Sequence, residues 1–127
     1  MAGASEVELG AVETAIGIRL PVELRDSLLA SNGSGEWFGE VFVELFDTKT
    51  LVAVNTEIEH HPGFLAFASD GSRELLGLDL RRQPPPVVMI DVTSPGWEEA
   101  RWQAATYGEF MEQRRHHAPL RWDVRHS

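Results

Sequence analysis

The sequence predicts a single α+β domain: a mainly antiparallel sheet, built as a meander, with an N-terminal helix pair and a C-terminal helix packed on it. Three observations predict it. The first is the stretch 64–92, where three apolar runs are divided by two turn signals, Asp70-Gly71 and Pro84-Pro85-Pro86. Asp-Gly is a strong hairpin signal, because Gly tolerates positive φ and Asp bonds its own backbone. A proline run cannot sit in a central strand, so it connects two strands. The second is the helical spacing of apolar residues before Asn32. The third is a capped helical pattern that begins at Thr106.

Taken in order, Ser5 and Glu8 form a capping box, each side chain serving the other residue's amide. Leu9, Val12 and Ile16 share one helical face, and Gly17 suits the C′ position, which predicts a helix over about 5–16. Ile18-Arg19-Leu20 is a short extended link. Pro21 suits the first turn of a second helix, where its missing N–H costs nothing. Leu24, Leu28 and Leu29 make that helix's buried stripe, Glu23 and Asp26 favour its dipole, and Asn32-Gly33 stops it.

Glu36-Trp37-Phe38 opens a β region. From Glu40 to Phe46 the residues alternate, with Val41, Val43 and Leu45 on one face and Glu40, Phe42 and Glu44 on the other. This predicts a strand with an acidic outer surface. Asp47 to Thr50 is a turn or a cap. Residues 51–58 fit a short helix or an irregular loop, and His60-His61-Pro62-Gly63 is loop. In the meander, Leu76, Leu78 and Leu80 share one face, and Gly77 and Asp79 lie on the other. Val87 to Ile90 is apolar on both faces, a strand covered on both sides. Thr93 to Gly96 is a turn, and Trp97 to Trp102 fits a short helix or a loop. Tyr107, Phe110 and Met111 form the stripe of a last helix over about 105–116, with Thr106 as N-cap. Beyond it, Leu120, Trp122 and Val124 recur at period 2, which allows a short strand or a partly ordered arm. Residues 1–127 therefore read as one domain, with its core at about 5–116 and a basic tail over 117–127.

Composition bounds the function. The chain of 127 residues is long enough to bury a core without staples. It has no cysteine, so disulfides, thiolate metal sites and a Cys nucleophile are excluded. The N-terminus lacks a basic and an apolar region of signal-peptide type, and no apolar run reaches the ~20 residues of a membrane span. A cytoplasmic location is expected. The net charge is −9, but residues 1–113 carry 19 acidic against 7 basic side chains, whereas 114–127 carry four arginines against Asp123. Phosphate contacts need Lys and Arg, so the body is not expected to bind nucleic acid. An acidic body favours a basic partner, or serves solubility.

Candidate chemistry is sparse. Glu57 with His60 or His61 has helical metal-ligand spacing, but Pro62-Gly63 ends any helix there and no second Glu-x-x-His exists. His60, His61, His116 and His117 read as exposed loop residues, and neither a metal nor a cofactor is expected. Gly-x-Ser-x-Gly is absent, and Gly33-Ser34-Gly35 lacks the spacing of a phosphate loop. Glu40 and Glu44 on one strand would stand about 13 Å apart, too far for a carboxylate pair. No catalytic residue and no enzymatic activity are expected.

Three pieces together resemble the SUKH superfamily, in its Smi–Knr branch. The first is Glu13, Ile16-Gly17, Leu20-Pro21, Leu24-Arg25, Leu28-Leu29 and Asn32-Gly33. The second is Pro62-Gly63-Phe64-Leu65, Phe67-Ala68, Asp70-Gly71, Leu78-Asp79, Pro86-Val87-Val88 and Asp91. The third is Tyr107-Gly108-Glu109-Phe110-Met111. The resemblance runs from about Glu13 to Glu112. It implies an α+β fold and, for many bacterial members, an immunity protein that neutralises a cognate toxin, often a nuclease or deaminase, by stoichiometric binding. Through fungal relatives it implies, as the alternative, a regulatory or scaffold module. An acidic face docks against a basic toxin cleft by standing in for phosphate. The expected partner surface is Glu36, Glu40, Glu44, Glu57, Glu59 and Asp79, with Trp37 either an anchor or a core residue.

Overall fold

Six strands follow one another in the sheet in the order of the chain, every neighbouring pair antiparallel. The computed structural model describes residues 2–58 and 61–122. Its elements are α1 (Glu6–Ile16), α2 (Val22–Ala30), β1 (Ser34–Phe38), β2 (Val41–Leu45), α3 (Thr48–Asn55), β3 (Phe64–Ser69), β4 (Glu74–Asp79), β5 (Val87–Asp91), a 3₁₀ turn (Trp97–Glu99), β6 (Arg101–Ala104) and α4 (Tyr107–Arg115). The fold is the expected α+β meander, curled into a half-barrel.

The N-terminal signals do what their chemistry requires. Ser5 N donates to Glu8 Oε1 at 2.9 Å and Glu8 N donates to Ser5 Oγ at 3.1 Å. Gly17 closes α1 at φ +76°, its amide donating to Glu13 O. Pro21 stands one place earlier than expected, at the N-cap of α2 rather than inside its first turn. Residues left open as helix or loop form α3, capped by Asp47, whose Oδ1 accepts from Thr50 N at 2.8 Å.

Glu40 is not in a strand. Gly39 and Glu40 form the two-residue turn between β1 and β2, with Phe38 opposite Val41. Gly39, at φ +61°, supplies the positive φ that such a turn needs at its first central position. The rest of the predicted alternation holds: Val43 and Leu45 are buried, and Phe42 and Glu44 are exposed. Residues directly opposite share a face, so Trp37 and Phe42 point outward, whereas Glu36, opposite Val43, points to the inner side.

Where β2 leaves β3, α3 takes its place. β2 pairs with β3 only at Glu44–Ser69 and Leu45–Ala68. The strand edge that β2 leaves unpaired at Ala66 is closed by the Asn55 side chain, whose Oδ1 accepts from Ala66 N and whose Nδ2 donates to Ala66 O, both at 2.8 Å. The amide stands in for a strand. Gln103 does the same for β6. It accepts from Arg121 N at 2.9 Å and donates to Arg121 O at 2.7 Å. The tail thus forms no strand through residue 122, yet Leu120 joins the core.

Helix α4 touches both edge strands, β1 and β6. Phe110 stacks on Phe38 with ring centroids 4.8 Å apart and meets Phe67 edge-on at 5.7 Å. Tyr107 meets Phe67 at 5.0 Å, and its hydroxyl is 2.9 Å from Ser27 Oγ on α2. This aromatic wedge fills the half-barrel.

Candidate functional site

The outer face of the β1–β2 hairpin gathers part of the expected partner surface. Trp37 and Phe42 stand opposite each other, 52% and 45% exposed, with their rings edge-on at 5.2 Å. Trp37 is therefore not a core residue. Glu44 stands opposite Gly35, and the Phe42 ring leans diagonally across the strands onto Gly35, filling the space a Cβ would take. Glu40 lies at the tip of the same hairpin. His117 and Pro119 buttress that tip. Gly39 N donates to His117 O at 3.0 Å, and the Pro119 ring packs on Gly39.

Beside Phe42 the surface dips into a pocket of about 320 Å³. Ser34, Gly35, Phe42, Glu44, Asp47 and Thr50 contribute to its lining. Asn32 ties this corner together, its Oδ1 accepting from Thr48 N at 2.8 Å. The first turn of α3 therefore has its Thr48 and Thr50 amides occupied by Asn32 and Asp47. The Thr50 amide, with Lys49 nearby, holds the Asp47 carboxyl below the usual aspartate range, so it is charged at neutral pH.

The other expected acids do not join this face. Asp79 is 3% exposed, so it is not a surface acid. Strand alternation aims it away from Leu78, but that side of β4 is roofed. Arg81 crosses it, with Nε 2.9 Å and Nη2 3.1 Å from the two carboxylate oxygens. Arg81 in turn lies 3.6 Å over the Trp97 ring, and Trp97 meets Phe64 and His61 edge-on. Glu36 is half-buried on the inner side of the hairpin. Glu57 is exposed at a separate pocket of about 390 Å³, lined with Val54, Ile58, His61, Leu75 and Ile90. Glu59 and His60 lie outside the described residues.

His61 is 3% exposed, not a surface loop histidine. Its Nε2 lies 3.0 Å from Ser94 Oγ and 2.9 Å from Gly96 O. The spacing to Ser94 is that of a nucleophile and its base. The proton count opposes that role, because a carbonyl accepts only, so Nε2 carries its proton and donates it to Gly96. A nitrogen that already holds a proton cannot take one from Ser94. The contact staples the 61–64 turn to the 94–97 turn. Among the described residues no group of three or more His, Cys, Asp or Glu is placed to hold a metal. Among them, too, no helix is long and apolar enough to cross a membrane.

Set against known protein families, residues 3–113 match the SMI1/KNR4 family (SUKH-1). The chain belongs to this family. The match spans α1 to most of α4, so every strand of the half-barrel is family structure. No curated protein matches the chain. The outer face joins Trp37, Glu40 and Glu44, which the sequence singled out as candidate partner-surface residues, to Phe42 and Asp47, which it did not. Phe42 was legible as an outward aromatic in an alternating strand. Asp47 was not, since its place beside Phe42 depends on the Asn32–Thr48 contact between distant segments.

Proposed function

We propose that this SMI1/KNR4-family chain is a non-enzymatic, cytoplasmic immunity protein that neutralises a basic toxin domain, of nuclease or deaminase type, by stoichiometric binding. The observation that carries this reading is the outward Trp37–Phe42 pair beside Glu44 and Glu40, in a family many of whose bacterial members resemble immunity proteins. An aromatic pair half-exposed on a sheet contributes little to folding and much to an interface. The net charge of −9 suits a partner whose own site is built to hold phosphate. His117 and Pro119 brace the hairpin that carries this pair.

The test is co-purification with the product of the neighbouring open reading frame at low and high salt. A one-to-one complex that weakens with salt is expected. The product of that frame, tested alone, should be toxic to cells and harmless when this chain is co-expressed. No complex with any neighbouring product would overturn the immunity reading in favour of a regulatory or scaffold module.

A further inference from the structure

Resting on that reading, we propose that the pocket beside Phe42 is a socket for an arginine side chain of the partner protein, its guanidinium stacked on the Phe42 ring and paired with Glu44 and Asp47. Three features of the pocket converge on that group. Phe42 offers an exposed aromatic face, and its ring is fixed from below by Gly35 and from the side by Trp37. Glu44 and Asp47 both line the same pocket of about 320 Å³, Asp47 with one carboxylate oxygen held by the Thr50 amide. Finally, the amides of the α3 first turn face Asn32 and Asp47 instead of solvent, so this helix start offers an anion little.

Guanidinium fits these walls better than ammonium does. It is planar, stacks on aromatic rings, is weakly hydrated, and has five donors in a fork that matches carboxylates. Lysine presents a compact, strongly hydrated charge that gains less from the ring. The charge also chooses the partner's chemistry. An acidic segment would set like charge against Glu44 and Asp47, and a neutral one would desolvate Glu44 with no cation to offset the cost. The hairpin tip, held by His117 and Pro119, keeps Trp37 and Phe42 in register, so the socket is preformed. Preformed sites lose less entropy on binding.

The experiment titrates the isotopically labelled full chain with three short capped peptides, identical except for a central arginine, lysine or citrulline. Amide shifts are followed by NMR. The arginine peptide is expected to shift Gly35, Phe42, Glu44 and Asp47 as one cluster, with the lysine peptide weaker and citrulline silent. Glu44→Gln is expected to weaken arginine binding by about threefold to tenfold, and Phe42→Leu by a similar factor, with the spectra otherwise unchanged. Shifts spread over all exposed acids, or equal for arginine and lysine, would overturn the socket. So would full binding by Glu44→Gln. The peptide assay does not involve the toxin. Peptide binding without any toxin complex would sink the immunity reading alone. A toxin complex indifferent to both substitutions would sink the socket alone.

Discussion

Replacing Asn55 with alanine should unfasten the sheet at β3. The Ala66 amide donates to Asn55 Oδ1, and the Ala66 carbonyl accepts from Asn55 Nδ2, at 2.8 Å each. Ala66 is fully buried, so both backbone groups lose their partners in a dry place. Each orphaned group costs about 1–3 kcal/mol, and partial water entry trims the sum to roughly 2–4 kcal/mol. With a urea m-value of about 2 kcal/mol/M for a domain of this size, the midpoint should fall by about 1–2 M. Asn55→Asp is the informative control. It keeps the acceptor for Ala66 N but turns an anion towards the Ala66 and Leu51 carbonyls, so at neutral pH it should cost at least as much. Acidifying through its carboxyl pKa should recover part of the loss, because the protonated acid can donate again. Hydrogen exchange at the Ala66 amide should speed up in Asn55→Ala more than at Leu76. A loss below about 1 kcal/mol, or unchanged exchange at Ala66, would refute the view that this amide substitutes for a strand.

Three further outcomes are expected. Gly77→Ala would place a Cβ 2.5 Å from both Leu65 O and Phe64 Cζ, so overpacking should lower stability by about 1–3 kcal/mol. A thermal melt as high as the parent's would show that both the Leu65 carbonyl and the Phe64 ring can give way. Trp37→Ala should change stability by less than about 1 kcal/mol, yet weaken toxin binding by more than ~2 kcal/mol, or roughly 30-fold. Calorimetry beside a urea titration separates the two, and equal losses in both would contradict an interface role. Asp47 and Asp91 both titrate below the usual aspartate range, through hydrogen bonds from Thr50 and Thr93 respectively. A depressed folded-state pKa contributes stability that is present above about pH 4 and is lost as pH falls through the lower folded value. Asp47→Asn should therefore flatten the acid limb of the stability curve below about pH 4. An unchanged limb would show that the cap does not feel the charge.

Much of the fold was legible because its signals are local. Ser5 and Glu8 lie three residues apart, Asp70-Gly71 makes its own turn, and Val87 to Ile90 carries its double burial in its composition. Strand β6 was not legible. Trp97 to Trp102 shows no alternation, and Arg101–Ala104 becomes a strand because β5 offers an edge. Gln103 is buried because Arg121, eighteen positions on, brings its backbone N–H and C=O to both ends of the side-chain amide. Asp79 misled for the same reason. Its alternation was right, but the roof over it comes from Trp97 and Arg81, which no spacing rule places there. At the candidate site, the outward Phe42 and Glu44 followed from period 2, whereas Trp37, open as an anchor or a core residue, is turned outward by its register with Phe42. The half-buried Glu36 did not, because its face is set by the register with Val43.

The order of the half-barrel has a consequence for its biogenesis. All strand pairings join neighbours in the chain, so each hairpin can zip as it leaves the ribosome, which favours rapid folding. The wedge that fills the curve, Tyr107 and Phe110, is made after every strand. Until then the trough of the half-barrel lacks its filling, and Phe38 and Phe67 lack the ring contacts that Tyr107 and Phe110 give them. At 5–20 residues per second, the ~40 residues between β3 and α4 leave that trough uncovered for roughly 2–8 s. A nascent chain in that interval is a natural client for a chaperone that holds apolar surface. Translation of the last helix, rather than pairing of the sheet, therefore governs when the fold is complete.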